Sequence, residues 1–398
     1  MIIGIPKEIM QGENRVAAIP ETVEKFIKLG FEVRVETCAG KGIHCADQEY
    51  EKAGALIMPD AESVYRDANV ILKVKEPLLN QAAGKHEIDW MKEGTILVTF
   101  LHPAAPSNHE TVKRLSEKGI TSFTMDGIPR ISRAQTMDAL TSMSTITGYK
   151  SVLIAANHLP RFVPMINTTI GSMKPAHFLV VGIGVVGLQA LATAKRLGGT
   201  LTAVDIRDEA RKAAMSLGAK VGGFDVPEGL ALGKGGYAKA LPADWLEKER
   251  ASLTPLIKES DGVILCALVP GEIAPILVTE EMISGMKPGS VIVDVSIDQG
   301  GNCSVTEPGK ETLKNGVLIC GLQNIPGRVP VHATWLYANN IFHYVKNLFK
   351  KGLDCFDLDD EIVKNSLVTY QGNIVYEGAL KALGRKKLEV DSCQPLST

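Results

Sequence analysis

No apolar run in this sequence approaches the roughly 20 residues needed to cross a bilayer, so no membrane span is expected. The N-terminus, Met1-Ile-Ile-Gly4, has no basic stretch ahead of an apolar one, and no signal peptide is expected there. Charge of one sign is missing too: 43 Lys and Arg stand against 45 Asp and Glu, a formal net charge of −2. A nucleic-acid partner would need a basic field that this chain lacks. Cysteines are few and unpaired in pattern. The seven, at 38, 45, 266, 303, 320, 355 and 393, form no C-x-x-C and are odd in number, which suits a reducing, cytoplasmic compartment and small core residues. No His, Cys and Asp grouping has metal-ligand spacing, so no metal is expected. Nothing suggests a serine or cysteine nucleophile, and there are no internal repeats. Aromatics make up only 5%.

Glycine is abundant, at 38 residues, and one cluster organises the chain. The apolar run Phe178-Leu-Val-Val181 ends in Gly182-x-Gly184-x-x-Gly187. A small-residue helix, Leu188 to Leu197, and a second apolar run, Leu201 to Val204, follow, and that run ends in Asp205. This is strand, tight turn, helix, strand, acid. The first glycine makes the turn, the second lets backbone approach a pyrophosphate, and the third packs helix on strand. The helix N-terminus offers bare N–H groups and a positive dipole end to phosphate. Asp205 suits the ribose hydroxyls and repels a 2′-phosphate, so the expected cofactor is NAD.

The 398 residues suggest two or three domains. Before residue 126, strands (Ile2 to Ile5, Phe31 to Glu36, Val70 to Val74, Thr95 to Phe100, Ile120 to Met125) alternate with helices (Pro20 to Leu29, Asp47 to Ala53, Ala61 to Ala68, Asn108 to Lys118). Alternation of this kind implies a mostly parallel sheet with helices on both faces. Ala134 to Leu159 reads as one connecting helix interrupted by Gly148, and Gly171 to Pro175 as loop. After the glycine turn come a helix from Arg207 to Leu217, an irregular glycine-rich stretch from Gly222 to Gly236, a charged helix from Ala243 to Glu259, and a helix from Glu280 to Met286. Strands are expected at Gly262 to Leu268, Ser290 to Val295 and Val317 to Leu322, a long helix at Thr334 to Phe349, and a hairpin at Leu367 to Val375. The expected fold is α/β, two doubly wound Rossmann-like domains with mostly parallel sheets joined by long helices across a cleft. The expected division is 1–137 with 328–398, and 138–327.

Open α/β sheets bind ligands at the carboxyl ends of their strands. Lys75 and His102 follow the strands at 70–74 and 95–100, and Asp298 follows that at 290–295. A lysine there can polarise a keto oxygen and a histidine can shuttle a proton. Arg15, just after the first strand, can fork onto a carboxylate. Each of these residues alone also suits an ion pair or a solvated surface. The stretch Arg130-Ile-Ser-Arg-Ala-Gln-Thr-Met-Asp138 offers polar groups to an amide such as nicotinamide, or is simply a capped helix start. Gly222 to Gly236 suits a mobile loop ending at Tyr237, and Cys266-Ala-Leu-Val-Pro-Gly271 suits the cofactor edge.

These residues resemble those of one superfamily, the alanine dehydrogenases together with the NAD(H)-binding component of proton-translocating nicotinamide nucleotide transhydrogenase. The likeness runs from residue 1 to about residue 380 and rests on Gly4-Ile-Pro-Lys-Glu8, Arg15-Val-Ala17, the glycine turn, Leu268-Val-Pro-Gly271 and Met286-Lys-Pro-Gly-Ser-Val-Ile-Val-Asp294. The Arg130 to Asp138 stretch, Gly235-Gly-Tyr-Ala-Lys239, Gly300-Gly-Asn-Cys303 and Glu307-Pro-Gly-Lys310 resemble the transhydrogenase branch. By that likeness Arg130, Gln135 and Asp138 would hold the nicotinamide carboxamide and ribose, and Tyr237 would close over the nucleotide. Gly182, Gly184, Val185, Val186, Gly187, Asp205, Arg207, Ala267, Leu268 and Asn324 would complete the cofactor set. The resemblance also implies a first domain built from both chain ends and a homo-oligomer, dimer or hexamer. Arg15, Lys75, His102 and Asp298, however, match the substrate-binding and catalytic quartet of the dehydrogenases, which the transhydrogenase component typically lacks.

Two functions follow as expectations. In the first, hydride passes between NADH and NADP held on a separate subunit. Proton coupling would then fall to other, membrane-bound polypeptides, and this cytoplasmic chain would sit on the inner membrane through them. In the second, the chain alone oxidises L-alanine to pyruvate and ammonium with NAD, through a pocket for a small amino acid or 2-oxo acid.

Overall fold

The computed structural model describes residues 1–233, 238–269, 273–353 and 355–384. It divides into two compact units, 1–143 with 327–398, and 144–326.

The first unit is built on an eight-stranded sheet. Its order is Asn373–Ile374, Leu367–Tyr370, Thr121–Thr124, Ile96–Thr99, Val70–Leu72, Ile2–Ile5, Glu32–Glu36, Leu56–Met58. The six strands from the N-terminal part pair in parallel, and Leu367–Tyr370 adds antiparallel to Thr121–Thr124. Both chain ends therefore build one sheet. Val70–Leu72 and Ile96–Thr99 are buried at every residue, as strands covered on both faces by helices must be. The order reverses between Ile2–Ile5 and Val70–Leu72, and Glu8 and Lys75 follow the carboxyl ends of that pair.

The second unit holds a seven-stranded sheet, Lys220–Val221, Thr200–Val204, His177–Val181, Gly262–Leu265, Val291–Asp294, Val317–Cys320, Glu311–Lys314. All pairs are parallel except the last. The order reverses between His177–Val181 and Gly262–Leu265, the place where a doubly wound sheet opens a ligand crevice. Cys266, Cys303 and Cys320 are buried in this unit, and burial pushes the Cys320 thiol up to about 12. These are unreactive packing residues.

Three expectations need correction. Ala134 to Leu159 is not one helix: a 3-10 segment, Ser132–Met137, precedes helix Ala139–His158. Asp138 between them leaves the helical region, at ψ 82, and its carboxylate accepts from Thr141 N at 2.9 Å and Thr141 Oγ1 at 2.6 Å. It caps the helix, and a capping side chain competes with helix continuation. Gly171 to Pro175 is not loop throughout, since Gly171–Met173 pairs antiparallel with Ile166–Thr168. The glycine-rich stretch after Gly222 contains a helical turn, Glu228–Ala231. Tyr237 and the end of that stretch lie outside the described residues, as do Pro270, Gly271 and the C-terminal tail.

Candidate functional site

In the second unit each glycine of the turn has a separate steric reason. Gly182 has φ +91, and a Cβ there would stand 2.6 Å from Ala267 N. A Cβ on Gly187 would stand 2.1 Å from the Gly182 carbonyl oxygen. At Gly184, the residue before helix Val185–Arg196, a Cβ would meet nothing among the described residues within 4 Å. The first and third glycines are thus required by the protein's own packing. The second leaves open space beside the N–H groups of Val185 and Val186 at the helix start, which is what a pyrophosphate needs.

Asp205 closes strand Thr200–Val204 and is 7% exposed. Its Oδ2 accepts from Ile183 N at 2.7 Å, which ties the acid to the turn. Arg207 grips it as well, donating from N at 2.8 Å and Nε at 3.0 Å to Oδ1 and from Nη2 at 2.8 Å to Oδ2. A ribose diol would share Asp205 with Arg207 or displace its fork. Ile206, Arg207, Ala210, Val226 and Leu232 help line an adjoining cavity of about 260 Å³. Glu249, buried on helix Ala243–Glu259, adds negative potential at this end. Burial and then Asp205 push its carboxyl up to about 7.

Ala267 and Leu268 follow strand Gly262–Leu265, and Asn302 holds the first of them in place. Its Oδ1 accepts from Ala267 N at 3.0 Å, and its Nδ2 donates to Ala267 O and Pro275 O, both at 2.9 Å. Asn302 is itself set by Asp294, whose buried carboxylate accepts from Asn302 N and Cys303 N. Asp298 is exposed, and its Oδ1 accepts from Gln323 Nε2 at 3.0 Å. The neighbouring Asn324 adopts φ +50, a region in which asparagine is among the better tolerated side chains.

In the first unit the crossover point is bridged by charge. Lys73 is fully buried, and its Nζ lies 3.0 Å from Glu87 Oε1 and 3.3 Å from Glu8 Oε2. Glu8 Oε1 also accepts from Val74 N at 2.6 Å and Lys75 N at 3.5 Å. Burial drives the Glu8 carboxyl up to about 7, with Lys73 pulling the other way. The network holds the backbone from which Lys75 projects.

His102 lies beyond the neighbouring strand, at φ +43, and its Nδ1 is 2.8 Å from Asp126 Oδ1. Its backbone N donates to Asp126 Oδ2 at 2.8 Å, and its ring stacks on Phe100 at 5.6 Å. Burial works against a charged imidazole here, but the Asp126 carboxylate outweighs it and raises the His102 pKa, while Lys75 opposes that rise. The electrostatic influence of Lys75 places the two expected residues near one another. Asp126→Asn should lower the His102 pKa, which NMR titration of the ring protons reads directly; an unchanged titration would remove Asp126 as its partner.

Arg15 is committed elsewhere. It is buried and forks onto Glu13, Nε to Oε1 at 2.8 Å and Nη2 to Oε2 at 2.5 Å. Both residues, with Glu8, Asn14 and Lys41, line a cavity of about 340 Å³. A substrate carboxylate would have to compete with Glu13. Arg130 and Gln135 are exposed and Asp138 is half-buried. Within the same stretch Arg133 is anchored, forking onto Asp360 at 2.9 and 3.0 Å. Asp126, Glu87, Asn302 and Glu249 belong to these sites although no sequence motif marks them. Each matters through a partner distant in sequence.

The chain matches two family descriptions, "Alanine dehydrogenase/PNT, N-terminal domain" over residues 4–147 and "Alanine dehydrogenase/PNT, C-terminal domain" over residues 151–377. It is 41% identical over 379 residues to the first polypeptide of the divided NAD(P) transhydrogenase alpha subunit of Rhodospirillum rubrum, covering 94% of this chain and 98% of that one. It is 34% identical over 392 residues to the alanine dehydrogenase of Methanococcus maripaludis, covering 96% of each. The solved transhydrogenase structure from Sinorhizobium meliloti superposes with a TM-score of 0.80 at 37% identity, covering 95% of this chain and 99% of that one. The paired sheets, the glycine turn and these likenesses together place the chain in the alanine dehydrogenase/PNT family, whose members are NAD-dependent oxidoreductases.

Proposed function

We propose that this chain is the NAD(H)-binding subunit of a nicotinamide nucleotide transhydrogenase, exchanging hydride directly with NADP held on a separate subunit. The observation that carries this reading is the greater likeness, along nearly the whole chain, to transhydrogenase alpha subunits than to alanine dehydrogenases. When bound, NAD(H) supplies or accepts the hydride. The chain's own task is to hold and orient it. Gly182 to Gly187 and the first turn of helix Val185–Arg196 bind the pyrophosphate. Asp205 binds the adenosine ribose, aided by Arg207. Arg130, Gln135 and Asp138 orient the nicotinamide end, with Ala267, Leu268, Asn324 and Tyr237 around it. No proton donor is required where hydride moves between two nicotinamides, so catalysis is apposition. The Glu13 fork on Arg15 accords with a chain that binds no substrate carboxylate.

Among the described residues no helix is long and apolar enough to cross a membrane. In this reading membrane-bound partner subunits carry the proton path and hold the chain at the inner membrane. Homo-oligomerisation rests on the hairpin Ile166–Thr168/Gly171–Met173, which joins neither sheet. Phe162, Met165, Ile170 and Met173 are exposed around it, Ile170 at 99%. A two-stranded hairpin is marginal alone, and an apolar patch of this kind marks an interface. Ile170→Asp should shift the sedimentation coefficient to that of a monomer; an unchanged value would remove the hairpin from the interface.

A second reading, a stand-alone L-alanine dehydrogenase, is favoured by the His102–Asp126 pair beside Lys75. Arg15 and Lys75 would then hold the carboxylate and keto oxygen, His102 would move the proton, and Asp298 would bind ammonium or the activated water. One assay separates the two. Purified protein with alanine and NAD should form no NADH, and hydride transfer from NADH to an NADP analogue should begin on adding a cognate NADP-binding domain. Alanine-dependent NADH formation that vanishes in His102→Ala would overturn the first reading.

A further inference from the structure

Three chemically dissimilar side chains meet at the edge of the second unit's sheet. Glu311 and Cys320 are register partners across the antiparallel pair Glu311–Lys314/Val317–Cys320. Directly opposed residues send their side chains out on the same face. Helix Ala139–His158 ends over that face: Leu159, the next residue, shares an apolar cluster with Cys320. His158 Nε2 is 3.4 Å from Glu311 Oε1. One imidazole nitrogen, one carboxylate oxygen and the Cys320 sulfur all lie within 4.8 Å of one another. Burial is graded across the group, with Cys320 buried, His158 half-buried and Glu311 exposed.

We propose that His158, Glu311 and Cys320 form a site for a zinc-type divalent transition ion, its fourth position open to water. A tetrahedral ion bonded at about 2.0–2.3 Å holds its ligand atoms roughly 3.3–3.7 Å apart. The three atoms therefore need only a small rotamer adjustment to share one ion. Sulfur with imidazole selects zinc or its neighbours in the transition series, since calcium and magnesium take oxygen ligands. The grading gives the ion a route in from solvent toward the buried sulfur. The bond would pin the end of the long helix to the sheet edge, a structural or regulatory tie separate from the hydride chemistry.

Cobalt(II) is the probe, because thiolate ligation gives a charge-transfer band and four-coordination gives strong visible absorption. The full chain carries Cys38→Ser, Cys45→Ser, Cys355→Ser and Cys393→Ser, so that thiols away from the buried core cannot contribute. The expected result is one equivalent of cobalt with both signatures, displaced by zinc. Cys320→Ser should abolish the charge-transfer band. Because Cys320 is buried, the surface changes His158→Gln and Glu311→Gln carry the test independently. Each should weaken Kd by at least about tenfold, given that loss of even an outer-shell partner costs roughly 10–100-fold. Zinc should also raise the Tm of the parent and not that of His158→Gln. Absence of the charge-transfer band in the serine background, or equal Kd in His158→Gln and Glu311→Gln and the parent, would overturn the proposal.

Discussion

Gly184→Ala should leave the melting temperature of the protein nearly unchanged and weaken NADH by at least about tenfold, which corresponds to about 1.4 kcal/mol. None of the described residues comes within 4 Å of where the new methyl would stand. The backbone at Gly184 is extended, at φ −86 and ψ −157, so alanine adopts it without a left-handed penalty. What the methyl should meet is the pyrophosphate. Gly187→Ala is the control with the opposite signature. Its methyl would press on the Gly182 carbonyl oxygen at 2.1 Å, so the turn or the helix must move, and stability should fall together with binding. NADH fluorescence titration and calorimetry on the two variants read the difference. A Gly184→Ala protein that binds NADH as tightly as the parent would place the pyrophosphate somewhere other than this turn. The comparison separates a glycine kept for a ligand from glycines kept for the fold, a distinction that the spacing of the three cannot make.

The nucleotide-binding unit is legible in the sequence because its signals are local. Gly182 to Gly187 occupy six consecutive positions, and Asp205 ends the very next strand. The charged helix Ala243–Glu259 has the bounds its sequence suggests. Parallel strands such as Val70–Leu72 show as short apolar runs, slightly longer in the sequence than in the structure. What fails to show is pairing across distance. His102 is prominent at a strand end, but its partner Asp126 lies 24 residues on, and no spacing rule joins them. Lys73 does not stand out beside Lys75, because a buried lysine is intelligible only once Glu8 and Glu87 stand next to it. Asp138 reads as helical although Asp-Ala-Leu-Thr is a capping pattern, because the apolar periodicity continues through it. The edge pieces Leu56–Met58, Ile166–Thr168 and Glu311–Lys314 are three or four residues long with mixed faces, and their strand character comes from the neighbour they pair with. For the same reason the Arg15 pair with Glu13 is invisible in the sequence: adjacent charges of opposite sign usually diverge into solvent, and here both are enclosed.

Lys73→Met should destabilise the first unit by about 3–5 kcal/mol, the range for removing one partner of a buried ion pair. The methionine fills the volume, so the loss is electrostatic. Glu8 and Glu87 would face each other, both buried, with no lysine between them. Tyr65 OH at 2.7 Å from Glu87 Oε1 and Val74 N at 2.6 Å from Glu8 Oε1 would remain, but neither supplies a positive charge. The loss should depend on pH in a defined direction. Glu8 in the folded protein titrates at about 7, above its ordinary 4.5. A carboxyl raised in this way favours folding when protonated, so its contribution is full below about pH 4.5 and fades as pH climbs through about 7. Without Lys73, which holds that pKa down, the folded-state value must rise further and the fading must extend to higher pH. The stability gap between parent and Lys73→Met should therefore be smaller at pH 5 than at pH 9. Urea unfolding followed through Trp90, whose ring packs 5.9 Å from that of Tyr65, reports on this network directly. A gap below about 1 kcal/mol, the range of exposed pairs, would mean that water reaches these groups. A gap independent of pH would mean that the carboxylates are not the groups Lys73 serves. Because Glu8 also accepts from the backbone of Val74 and Lys75, the same variant should loosen the segment that presents Lys75. It therefore links the stability of the first unit to the residue on which the dehydrogenase reading most depends.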